Sequence, residues 1–281
     1  MTQIKDESEE MYSELRTTRN RLVVKSNDLV QKARFQLSTQ EQKIILYMIS
    51  KIKPDEDEFI YQDFNIAEFC RVCGIDGTNG GNYKALKNTI KELSDKSLWV
   101  MLESGTETLM RWINKAWINK KSGNIRLRLD DDMKPYLLQL QERFTQYELL
   151  YTLAMRSQYS IRLYELLKSY EYKKHVVLDL EELKRLICAE NYIRYPDFKR
   201  YVLDISMREI NDLSDLSVTY EIIKVGRKYG KIEFIMQIKK DMEERLRTWA
   251  RIDEVINPAQ LSLFDRVYGQ KYNEPGREGI K

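Results

Sequence analysis

The chain has 281 residues, of which 42% are hydrophobic and 32% charged, with a formal net charge of +3. That length suits one large domain or two of ordinary size. No run reaches the roughly 20 apolar residues of a membrane span, the acidic opening MTQIKDESEEMY lacks a signal peptide's apolar core, and an odd three cysteines argue against a disulfide framework and for a reducing, cytosolic compartment.

Residues 1–24 read as a charged arm. Leu15, Leu22 and Leu29 fall seven apart, but three positions do not make a zipper, which needs sustained heptads. An amphipathic helix follows around Leu46-Tyr47. In Phe64–Cys73, Asn65 is a good N-cap with Glu68 three residues on, and Ile66, Phe69 and Val72 form a helical stripe. After the glycine-rich turn Gly74–Gly81, a second helix carries Leu86, Ile90 and Leu93 on one face. Three strand-like segments come next: Leu98–Leu102, Met110–Asn114 and Ile125–Leu129. The stretch from Arg111 to Arg128 holds Arg111, Lys115, Lys120, Lys121, Arg126 and Arg128 with no acid among them.

Residues 130–144, with an acidic start and Pro135, read as a connection. Then the pattern returns. Leu163-Tyr164 matches Leu46-Tyr47; Asp179 and Glu182 repeat Asn65 and Glu68 ahead of the stripe Leu180, Leu183, Leu186; and Leu203, Met207 and Ile210 repeat Leu86, Ile90 and Leu93. Strands Val218–Ile223 and Ile232–Met236 follow, joined by Gly226–Gly230 with Arg227 and Lys228 at the tip. Three matches in one order at nearly constant offset indicate a duplicated unit. Helix, short strand, helix, helix and basic hairpin is the order of a winged helix.

The expected fold class is therefore α+β and helix-rich, with two tandem winged-helix domains related by internal duplication, at 25–140 and 141–240. A C-terminal region, 241–281, adds a helix and a tail. The helix, Lys240–Ile256, is expected to place Met242, Leu246, Trp249, Ile252 and Ile256 on one face, with Asp241–Arg245 and Glu243–Arg247 pairs opposite; Asn257-Pro258 ends it.

A helix entering a major groove reads bases from its polar face, where Arg and Lys suit guanine and Asn suits adenine. In the first copy that face carries Asn82, Lys84, Lys87, Asn88 and Lys91; in the second, Lys199, Arg200, Asp204 and Arg208. Lys120, Lys121, Arg227 and Lys228 at the hairpin tips suit phosphates, which position a protein without carrying sequence information. Two such helices on successive grooves, about 34 Å apart, would span a site near 20 base pairs.

Other chemistries fit poorly. Gly226–Lys231 has too few residues between its glycines for a phosphate loop, and Ile232 replaces the magnesium-binding hydroxyl. Cys70 and Cys73 have zinc spacing, but a four-ligand set would need the distant Cys188 and His175, the one histidine. Neither a cofactor nor a resident metal is expected, and no catalytic residue is assigned.

The segments Val24-Lys-Ser-Asn-Asp-Leu29, Leu37-Ser-Thr-Gln-Glu-Gln-Lys43, Phe144-Thr-Gln-Tyr147 and Tyr159-Ser-Ile-Arg-Leu-Tyr-Glu-Leu-Leu167 resemble the iteron-binding plasmid replication initiators with paired winged helices. The likeness covers roughly residues 22–240. It implies a cytoplasmic bacterial protein that binds repeated double-stranded sites at an origin and helps open the duplex. It also implies a monomer–dimer equilibrium, repression of the protein's own promoter by the dimer, and contacts with a replicative helicase and a host initiator. The rolling-circle initiators, which nick with a tyrosine and a metal held by paired histidines, do not match a chain with a single histidine. The alternative is a winged-helix transcriptional regulator without a replication role. In the tail, Gln260-Leu261-Ser262-Leu263-Phe264 resembles the pentapeptide by which bacterial replication proteins bind the sliding clamp, with three apolar anchors and one hydrogen-bonding glutamine. The regulator would leave that peptide idle.

Overall fold

The structure, a computed structural model, describes residues 21–53, 55–73, 81–102, 104–119, 121–226 and 228–256, with only the backbone at 70, 71, 73, 81, 82 and 85. Most of the N-terminal arm, the glycine-rich turn, the side chains of Asn82 and the Cys70/Cys73 pair, Lys120, Arg227 and the tail peptide Gln260–Phe264 lie outside the described residues.

The first unit opens with β1 (Leu22–Ser26), α1 (Asn27–Lys32), β2 (Ala33–Arg34) and α2 (Thr39–Ile49). Ser26 caps α1 by accepting from the Leu29 amide. Ser38 and Glu41 form a reciprocal capping box at α2, which satisfies two amide donors left without partners at the helix start. Helix α2 is buried on all sides from Glu41 to Ile49, as suits a central helix. Strand β3 (Gln62–Asn65) leads into α3 (Ile66–Cys73), and α4 (Gly81–Asp95) follows. The expected caps hold in half: Asn65 accepts from the Ala67 amide at 2.8 Å, while Glu68 accepts from the Tyr47 hydroxyl. Leu86, Ile90 and Leu93 are buried as their spacing requires.

Four strands follow α4, where three were expected: β4 (Ser97–Met101), β5 (Glu107–Arg111), β6 (Ile113–Asn119) and β7 (Asn124–Leu129). The expected strand Met110–Asn114 is broken at Trp112. Its indole is only 1% exposed and meets Phe35 edge-on at 4.8 Å. Burying that ring turns the chain out of the sheet β2-β4-β5 and into a second one, β3-β7-β6.

Residues between the units include the short helix α5 (Lys134–Leu137). The second unit runs β8 (Phe144–Glu148), α6 (Leu150–Leu153), α7 (Gln158–Lys168), β9 (His175–Asp179), α8 (Leu180–Leu186), α9 (Tyr195–Phe198), a π-helical stretch Lys199–Leu203, α10 (Asp204–Leu213), β10 (Leu216–Val225) and β11 (Lys228–Ile238). Its sheet order, β10-β11-β9, repeats β6-β7-β3. Asp179 caps α8 through the amides of Glu181 and Glu182, while Glu182 pairs with Arg185. Both units are winged helices, and the second lacks the extra sheet of the first.

The turn between β10 and β11 is shorter than the five residues expected, since Val225 pairs with Lys228. Gly226 supplies a φ of +65° there. Gly230 lies inside β11, at a register shift, where a Cβ would come within 2.6 Å of a Val225 methyl.

The units meet along β1 and β8, antiparallel from Leu22↔Glu148 to Ser26↔Phe144, so Leu22–Val24 belong to this strand and not to a free arm. Beneath the ribbon lies a buried charged cluster. Lys25 Nζ and the Tyr147 hydroxyl each donate to Glu165 Oε1 at 2.5 Å. Arg162 reaches Glu165 Oε2 at 3.5 Å, donates to the carbonyls of Ala33 and Val30 and lies 4.1 Å from the Phe35 ring centre. Burial disfavours the charge on Glu165, but Lys25 and Arg162 outweigh it and hold the carboxyl below its ordinary range.

The last helix, α11 (Met242–Ile256), departs from its expected face. Ile252 and Ile256 are buried, whereas Met242 and Leu246 are 59% and 43% exposed. The Glu243–Arg247 pair forms. The Asp241–Arg245 pair does not, because Asp241 caps the helix through the Glu243 and Glu244 amides and Arg245 turns to Glu148.

Candidate nucleic-acid interface

In each unit the helix before the hairpin presents a polar face opposite its buried stripe, and the two faces differ in charge state. On α4, Lys84, Lys87, Asn88 and Lys91 are all exposed, at spacings of three and four that put them on one side. None of the three lysines makes an ion pair with another described residue. Three ammonium groups on one exposed face suit a polyanion.

The wing β6–β7 is less basic than its sequence suggests. Arg126 donates two hydrogen bonds to Asp63, at 2.7 and 2.8 Å, because β3 places Asp63 directly opposite it. Arg128 makes the same fork with Asp131, at 2.8 and 2.9 Å. The Arg126 hydrogen bond holds the Asp63 carboxyl below its usual range. Two of the six cations expected along this stretch are thus neutralised by acids from elsewhere. Lys121 stays exposed at the turn, where the Asn119 side chain fixes the loop by accepting from the Lys121 and Ser122 amides. Lys115 lies 4.7 Å from the Trp117 ring centre.

In the second unit, α9, the π-helical stretch and α10 run as one rod from Tyr195 to Leu213. Of the residues expected to read bases here, Lys199 and Asp204 are locked together, with both carboxylate oxygens at 2.8 Å from Lys199 Nζ. The Tyr220 hydroxyl donates to the same carboxylate; burial, then that bond, pushes this phenol up to about 12. Arg194 is forked onto Asp197. Arg200 and Arg208 remain exposed, with Arg200 lying over the Tyr201 ring. Lys228 is exposed beside the wing turn.

Residue types alone did not bring out an aromatic lining on this side. Tyr195 packs on Tyr229 of the wing with ring centres 4.2 Å apart, Tyr192 stacks on Tyr201, and Tyr159 meets Tyr192 edge-on. Ile193, in the turn before α9, is 85% exposed. The signal in the sequence is Tyr192, Tyr195 and Tyr201, three phenols within ten residues.

The family described as "Initiator Replication protein, WH1" matches residues 22–168, more than half of the chain. The chain belongs to the initiator replication protein family. The companion family "Initiator Rep protein, WH2" matches residues 179–236, the first match running on through β8 and α7, and this family member is a DNA-binding initiator of replication, as its resemblance to plasmid initiators implied. An Escherichia coli "Replication initiation protein" is 26% identical over 236 residues, covering 79% of this chain and 71% of that protein. An E. coli "PI protein" is 28% identical over 146 residues, covering 44% of this chain and 48% of that protein. Among solved structures, a Pi initiator protein in complex with iteron DNA is similar to this initiator with a TM-score of 0.66 and 21% identity, covering 79% of this chain and 99% of that one. At that identity the likeness speaks for the fold. No described helix is long and apolar enough to cross a membrane, and the described residues contain no group of three or more His, Cys, Asp or Glu able to hold a metal.

Proposed function

We propose that this initiator binds repeated double-stranded sites at a plasmid origin, laying α4 and the α9–α10 rod into successive major grooves while the wing residues Lys121 and Lys228 meet phosphates. The observation that carries this reading is the same one in both units: a helix with a buried apolar stripe and an exposed polar face stands beside a hairpin with a cation at its turn. The solved Pi relative with iteron DNA supports the class of ligand. Grip and geometry are the means, without bond-breaking; the protein acts in the cytoplasm, and a dimer of it represses its own promoter. The host helicase and initiator are recruited once the duplex is held.

Selection from a pool of random duplexes tests this directly. The expected winner is one asymmetric site of about two helical turns, with direct repeats of it beside the gene, bound with an affinity that falls steeply with salt. A short inverted site alone would favour the regulator.

The tail peptide Gln260–Phe264 is proposed to engage the sliding clamp, on the strength of its sequence and of a replication role. Replacing Leu263 and Phe264 with Ala should abolish clamp binding and leave DNA affinity unaltered. Clamp binding that survives the change would remove that partner.

A further inference from the structure

Resting on the two-groove reading, we propose that Lys25, Tyr147, Arg162 and Glu165 are positioning residues that fix how the two reading helices stand relative to one another. These four side chains touch no groove face. They come from β1, β8 and α7, all within the WH1 match, and are almost wholly buried, with Lys25 and Glu165 only 3% and 1% exposed. The void beside them holds about 10 Å³, no more than one water, so the cluster is no ligand site.

What the cluster does follows from where its bonds run. Lys25 comes from β1, Tyr147 from β8, and Arg162 and Glu165 from α7. Arg162 also donates to two carbonyls at the end of α1, and α7 packs against α10, so a side chain on the helix that carries the second reading rod closes a helix near the start of the chain. The ribbon β1–β8 is two-stranded, and such ribbons hold their register poorly by themselves. Slipping it by one residue would turn Lys25 away from Glu165, because successive side chains face opposite sides. Slipping it by two would carry Lys25 about 7 Å along the strand, out of bonding reach. Apolar contacts tolerate a small slide, whereas a carboxylate holding a lysine, an arginine and a phenol does not. Burying such charges is an inefficient way to gain stability, and one attested use of buried polar groups is to fix a unique arrangement.

The test uses the full chain and the site selected from random duplexes, together with each half of that site on its own duplex and a version with two extra base pairs between the halves. Glu165→Gln should weaken full-site binding at least tenfold, leave half-site binding within about twofold, and narrow the wild-type preference for the correct spacing. Should that variant fail to fold, the apolar replacement Lys25→Met/Tyr147→Phe/Arg162→Met/Glu165→Leu takes its place, with the same expectation. Folded variants that bind the full site like wild type, or that lose full and half sites in parallel, overturn the proposal. So does unfolding of both variants, since the cluster would then hold the units themselves and not their placement. A wild-type chain that selects no two-turn site sinks the groove reading instead, and is told apart because no substitution is involved.

Discussion

The two winged helices share an element order and a sheet order, yet they present opposite kinds of surface. The helix α4 carries three lysines that no described acid neutralises. The α9–α10 rod ties Lys199 to Asp204, and Arg194 just before it to Asp197, leaves Arg200 and Arg208 exposed, and surrounds them with tyrosine rings. Unpaired ammonium groups attract phosphate at any sequence, with a cost in counterion release that makes binding salt-sensitive. Rings and internally balanced charges attract little at long range and act by shape and contact with particular bases. From this contrast we propose a division of labour, with one copy weighted toward grip and the other toward discrimination.

Three substitutions sharpen or break that division. The largest effect is expected from Lys84→Ala/Lys87→Ala/Lys91→Ala, which removes three ammonium groups from the groove and should shallow the slope of log K against log salt by up to about 2.7, at about 0.9 per phosphate charge each one neutralises. Titrations at four salt concentrations would read it, and a slope unaltered by the triple change would mean α4 faces solvent. Next, Tyr195→Ala should cost about 1–3 kcal/mol of preference for the selected site over a mismatched one, the range of a good base contact, with the slope untouched. Equal losses on both duplexes would show that the ring only supports the wing. The smallest effect belongs to Asp204→Asn, which frees Lys199 and should steepen the slope by about one contact while raising affinity for unrelated DNA. An unchanged slope would show that Lys199 stays away from the backbone even when released.

Much of the fold could be read from local spacing. Asn65 and Asp179 start their helices, and the stripes Leu86–Ile90–Leu93 and Leu203–Met207–Ile210 are buried. Local spacing also failed in identifiable ways. Trp112 sits mid-strand by propensity, but its burial against Phe35 splits the strand, a tertiary effect that a window of ten residues does not contain. Arg126 and Arg128 look unpaired along the chain until the sheet brings up Asp63 and a turn brings up Asp131. In the same way, Lys199 and Asp204 both suit base readout by type, and only the backbone course between them, a π-helical stretch, shows that they satisfy each other. The segments that carried the family resemblance, Val24–Leu29, Phe144–Tyr147 and Tyr159–Leu167, supply all four members of the buried cluster. What resembled the family most closely was thus the joint between the reading heads, while the reading faces themselves were visible only as residue types.

The separation of the joint's partners has a consequence for synthesis. Lys25 and Glu165 stand 140 residues apart, so a nascent chain emerging at about 5–20 residues per second waits roughly 7–28 s between the first partner and the second. Over that interval α1, six residues long and far below the length at which a helix persists unaided, has neither Arg162 to close its end nor β8 beside its preceding strand. The opening strand and helix of the protein cannot complete this joint until the chain through Glu165 has left the ribosome.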